Sequence, residues 1–234
     1  VRALALATLH LVSGQERRTR RQLATALERE GARDGALRDR WALALGYAGD
    51  RYVSSGNLGR AIEAYLAALE VRPDQPRTVA SLANAERDAG RLADAIADYG
   101  RSLALERQGG TGGGEGVALT LVNLGLAREA AGDSAGAAAA WEEAAMVDPN
   151  EPLARFNLGN ALLLHGRTTA AIAAYRVAVV LDGSLAPAHF NLARAYASQG
   201  RFDEALSAVR QGLRFDSTDA GARELRAQLE ARIR

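Results

Sequence analysis

The 234-residue sequence has no cysteine, which excludes disulfides and thiolate metal centres. It has no lysine either: all 29 basic residues are arginine. Schiff-base lysines, lysine general bases and phosphate-loop lysines are therefore ruled out. An all-arginine composition fits a GC-rich, bacterial genome. Aromatic residues make up 5% and methionine occurs once, so a core must be built from aliphatic and small side chains. No apolar run approaches the roughly 18 residues of a membrane span. The stretch from Val1 to Val12 has the outline of an exported leader, but it contains His10. It reads as a first amphipathic helix, so a cytoplasmic location is expected, with export as the alternative. With 29 basic and 28 acidic residues the net charge is +1, which predicts no nucleic acid partner from the global field.

What the sequence does have is a period. Asn123, Asn157 and Asn191 follow one another at 34 residues (157 − 123, 191 − 157). The same interval relates Gly132, Gly166 and Gly200, Ala137, Ala171 and Ala205, and Asp148, Asp182 and Asp216. Upstream, Gly56 and Gly90, Ala61 and Ala95, and Tyr65 and Tyr99 keep the register. From Gly90 to Gly132 the interval is 42 (132 − 90), and the surplus lies in the glycine-rich run 108–116. A 34-residue period with helix-forming composition marks stacked helix pairs, each too small to bury its own apolar face.

The columns resemble the tetratricopeptide-repeat pattern, W-x2-L-G-x2-Y, then A-x3-F/Y, then A, then P. The match runs through Leu158-Gly159, Ala171, Tyr175 and Ala178, and through Leu124-Gly125, Ala137, Trp141, Ala144 and Pro149. Gly49, Tyr52, Ala61, Tyr65, Ala68 and Pro73 supply it upstream. Departures are the early Trp column (Leu45, Val79, Leu121, Arg155, His189) and the final Pro column (Arg107, Gly183, Ser217). The resemblance implies an all-α fold, an α-solenoid of antiparallel helix pairs in a right-handed superhelix with a C-terminal capping helix. The expected organisation is a degenerate helical repeat at 1–41, repeats at 42–75 and 76–109, and a glycine-rich inserted loop at 110–117. Repeats at 118–151, 152–185 and 186–219 and a capping helix at 220–234 complete it. Within each repeat, small residues in column eight are expected where the paired helices meet, and Tyr65, Tyr99, Trp141 and Tyr175 are expected to fill space against the next helix.

The resemblance further implies a non-catalytic scaffold that binds a protein or peptide segment along a groove lined by the first helix of each repeat. Carried onto this chain, the groove columns give Asn123, Asn157 and Asn191, with Asn160 and Arg194, and Phe156 and Phe190 beside them. An asparagine amide both donates and accepts, which suits a peptide backbone, and arginine pairs with a carboxylate. The alternatives are a substrate-guiding repeat domain of a larger enzyme and a self-assembling, homo-oligomeric scaffold. No cofactor or metal is expected. His10, His165 and His189 have no ligand spacing, and the glycine run lacks the phosphate-loop motif and a preceding strand. Arg17, Arg18, Arg20 and Arg21 spread over several faces of a helix and read as solvated surface.

Overall fold

The computed structural model describes residues 35–109 and 114–233, which form eleven α-helices and, among the described residues, no strand. The expected N-terminal helices, His10 and the Arg17–Arg21 cluster lie outside the described residues, as does the stretch 110–113. The chain divides after Gly112 into two compact units. The first holds α1 (Gly35–Ser54), α2 (Leu58–Val71), α3 (Pro76–Asp88) and α4 (Leu92–Gly109). The second holds α5 (Gly114–Ala130), α6 (Ser134–Val147), α7 (Pro152–Leu164) and α8 (Thr168–Leu181). It continues with α9 (Ala186–Ser198), α10 (Phe202–Phe215) and α11 (Ala220–Ile233). Helices pair as α1–α2 and α3–α4 in the first unit, and as α5–α6, α7–α8 and α9–α10 in the second, where α11 packs on α10. This is an all-α, solenoid-like helical repeat fold.

The turns follow from local chemistry. Gly56, Gly90, Gly132, Gly166 and Gly200 have φ between 72° and 84°, a region glycine enters without steric cost. Each closes its hairpin with a hydrogen bond reaching back five residues, such as Asn57 N–H to the Tyr52 carbonyl at 2.9 Å, the Schellman arrangement. Asn57 and Asp133 then cap the second helices by accepting from the backbone N–H of Arg60 and Gly136. The recurring aspartates act at the other end. Asp148, Asp182 and Asp216 accept from the backbone N–H two residues on, at 2.9 Å each. Pro152 sits at the start of α7, whose cap is Glu151.

The packing explains the small column. A Cβ added at Gly49, Gly125 or Gly159 would collide with the ring of Tyr65, Trp141 or Tyr175 respectively, so only glycine lets these helices close on their partner. Neighbouring pairs then seal each other: Ile62, Tyr65 and Leu69 of α2 cluster with Val79 and Leu82 of α3. Each such buried side chain contributes roughly 1.5–3 kcal/mol. In the second unit Tyr175, Phe190, Leu192, Tyr196, Val209 and Leu229 share one cluster.

Two helices exceed their repeat. The helix α1 begins at Gly35, seven residues before position 42. The helix α5 begins at Gly114, so 114–117, expected as loop, are helical. His165 ends α7 at an exposed position. His189 is packed, with Nε2 2.9 Å from the Gly183 carbonyl and its ring stacked on Phe215.

Candidate functional site

The first helices carry a repeated brace. In column nine, Asp50, Asn84 and Asn160 each accept a hydrogen bond from the column-24 tyrosine of the same repeat. Tyr65 donates to Asp50 Oδ1 at 2.6 Å, Tyr99 to Asn84 Oδ1 at 2.6 Å, and Tyr175 to Asn160 Oδ1 at 2.7 Å. The pairing changes together: Trp141 faces a repeat with Leu126 in column nine, and its indole N–H donates to the Val122 carbonyl at 3.1 Å. Burial pushes the Tyr99 and Tyr175 hydroxyls up to about 12, and raises Tyr65 further with help from the Asp50 carboxylate. All three remain neutral donors at ordinary pH.

In the second unit the brace extends into a chain of side chains. Asn191 Nδ2 donates to Asn160 Oδ1 at 2.8 Å, and Arg194 Nη1 donates to Asn191 Oδ1 at 3.3 Å. The Asn160 oxygen thus receives two donors and the Asn191 oxygen one. The hydrogen-bonding capacity left over is largely N–H: the Asn160 amide nitrogen, one Asn191 proton and the remainder of the Arg194 guanidinium. Arg194 is exposed and makes no ion pair among the described residues. This patch offers donors and positive charge, so its chemical complement is a row of carbonyls or a carboxylate.

The structure brings Asn160, Asn191 and Arg194 together, and Phe156 joins them through Tyr175, ring centroids 6.1 Å apart. Asn157 and Phe190 are packed away, 7% and 5% exposed. Phe190 lies against Gly212, at a point where any Cβ would strike its ring. Asn123 is partly buried on α5 and bonded within the structure.

The first unit presents a different face. An open depression of about 130 Å3 lies among Leu43, Tyr47 and Asp50 of α1 and Arg77, Thr78 and Ser81 of α3, with Tyr65 beneath. Tyr47 and Asp50 occupy columns six and nine of the first repeat, the columns that hold amides at 157 and 160. Scanning those columns for asparagine alone passes over them; scanning them for any polar or aromatic residue finds them.

One buried titratable group stands apart from these faces. Glu86 is 2% exposed, and its carboxyl is pushed up to about 7 by burial first and by the neighbouring Asp98 and Asp94 carboxylates, with Arg91 opposing. Among the described residues no three histidine, aspartate or glutamate side chains are grouped to hold a metal. No described helix is long and apolar enough to cross a membrane.

Comparison with known proteins agrees with this architecture. A family model described as tetratricopeptide repeat matches residues 48–111 and 122–187, and a second of the same description matches 162–229. The chain belongs to the tetratricopeptide-repeat family. Among curated proteins none matches the sequence significantly. Among solved structures it is similar to pilF of Pseudomonas aeruginosa, with TM-score 0.68 and 18% identity over 97% of this chain and 96% of that one. It is similar to MamA, with TM-score 0.62 and 24% identity over 74% of this chain and 96% of that one. YrrB, described as a TPR protein with an unusual peptide-binding site, gives TM-score 0.61 and 19% identity over 86% and 96%.

Proposed function

We propose that this protein is a non-catalytic interaction scaffold that holds an extended peptide segment of a partner protein against the first helices of its repeats. The observation that carries the reading is the donor-rich patch on α7 and α9. The Asn160 amide oxygen is taken by Tyr175 and Asn191 and the Asn191 oxygen by Arg194, so their remaining N–H groups suit a partner's backbone carbonyls. Arg194 then takes a carboxylate of the same segment. Leu153, exposed at the start of α7, adds apolar contact. A scaffold of this kind needs rigid presentation, and the tyrosine brace supplies it.

The test is a peptide-display selection against the purified chain, followed by affinity measurements on Asn191→Ala/Arg194→Gln. Selected peptides that engage this patch bind the double variant about tenfold or more weakly, the loss expected for two hydrogen-bonding groups, one of them charged. Circular dichroism should stay unchanged, because both side chains lie at the surface of their helix. Equal binding to the folded variant would contradict the reading.

A further inference from the structure

The face of the first unit differs from the donor-rich patch in columns six and nine, and column nine inverts its polarity. Where Asn160 stands in α7, α1 carries Asp50. Tyr65 needs only an acceptor there, and either residue provides one. With the Tyr65 hydroxyl on Oδ1, the second carboxylate oxygen of Asp50 is unoccupied. The side chain is exposed and makes no ion pair among the described residues. One turn earlier on the same helix, Tyr47 is 61% exposed, and Leu43 beyond it is 56% exposed. Residues 43, 47 and 50 follow the four- and three-residue steps that align side chains on one helix face. The exposed Tyr47 ring and Leu43 therefore form a strip beside an oriented carboxylate and over a concave floor lined by Thr78 and Ser81.

We propose that this face binds an arginine side chain of an extended partner segment, the guanidinium lying on the Tyr47 ring and pairing with Asp50. The proposal rests on the peptide-holding reading above and names the side chain that the first unit selects. A guanidinium is flat, weakly hydrated and forked, so it stacks on an aromatic face and pairs with a carboxylate at once, which an ammonium does less well. The Tyr65 hydroxyl fixes one Asp50 oxygen and thereby the orientation of the other. Thr78 and Ser81 of α3 line the floor with hydroxyls, which accept the guanidinium protons that Asp50 does not take. Arg77 stands on the opposite wall, too far from Asp50 for an ion pair, and provides a donor for the carbonyls of the same segment. No other described first helix combines an aromatic residue in column six with a carboxylate in column nine.

The chain contains its own control. Asn84 occupies column nine of the next repeat and accepts from Tyr99 at 2.6 Å, so Asp50→Asn removes the charge and keeps the brace. The experiment is a titration of the 15N-labelled chain with acetyl-Ala-Ala-Arg-Ala-Ala-amide and with the same peptide carrying citrulline, which retains the shape and lacks the charge. The arginine peptide should shift the amides around Tyr47, Asp50 and Ser81. Citrulline, Asp50→Asn and Tyr47→Ala should each weaken binding about five- to tenfold, in line with the loss of a charge-assisted or cation–π contact. Equal binding of the two peptides on this face would overturn the arginine site and leave the groove reading standing. Shifts centred away from α1 and α3 would overturn the location. An absence of shifts on either unit, together with failed peptide selection, would remove the groove reading as well.

Discussion

The two units share one brace and present opposite chemistry. In the first, Tyr65 holds a carboxylate, Asp50; in the second, Tyr175 holds an amide, Asn160, which also receives Asn191 and, through it, Arg194. The column-nine residue therefore answers two demands. The fold asks it to accept one hydrogen bond from a buried hydroxyl, and both side chains do so at nearly the same distance. The outward charge is left free: the first repeat carries a carboxylate there, whereas Asn84 and Asn160 carry amides. A repeat array can retune its recognition face at this position without disturbing its packing.

The largest way to break the comparison is to remove the brace itself. Tyr65→Ala and Tyr175→Ala should each cost about 3–5 kcal/mol, since a large ring is lost from a close-packed site lined by a glycine that cannot fill the void. Denaturant unfolding followed by circular dichroism measures this. Similar losses in both units would support one shared structural role, and a loss under 1 kcal/mol in either would contradict it.

A smaller effect separates the units by pH. Glu86, in the first unit, has an ordinary value of 4.5 and is raised to about 7 in the folded chain. The unfolded chain ionises it first, so stability falls as pH rises from about 4.5 to 7 and stays lower above that. Glu86→Gln should reduce this slope, to which the Asp98 and Glu106 carboxyls, also raised by burial, contribute, and stabilise the protein at pH 8 by about 1–3 kcal/mol, less whatever the Arg91 contact returns. Melting curves at pH 5 and 8 check it, and a variant with the parental pH slope would refute the assignment to Glu86.

Much of the fold is legible in the sequence because the repeat fixes it column by column. The glycines at 56, 90, 132, 166 and 200 predict the hairpin turns, and those at 49, 125 and 159 predict where paired helices meet; that the column-24 rings press there is visible only in the structure. The period does not foretell how far a helix runs beyond its repeat. Residues 35–41 simply continue α1, and the glycines at 114 and 116 enter α5 despite their poor helix propensity.

The candidate site was legible only in part. Column rules describe an average repeat, and Phe190 departs from it because its own repeat has Gly212 where the others have Ala68, Ser102, Ala144 and Ala178. The missing side chain makes room for the ring, which turns inward. Asn157 is similarly enclosed. The polarity of the Asn160–Asn191 pair was not readable at all, since an amide offers both donor and acceptor until its neighbours are known.

The measurement that tests the account most directly is a paired titration of the labelled, unmodified chain with two blocked pentapeptides, one centred on arginine and one on glutamate. The arginine peptide should shift amides on α1 and α3, and the glutamate peptide should shift amides on α7 and α9. Both peptides perturbing the same helices, or neither perturbing any first helix, would contradict the account.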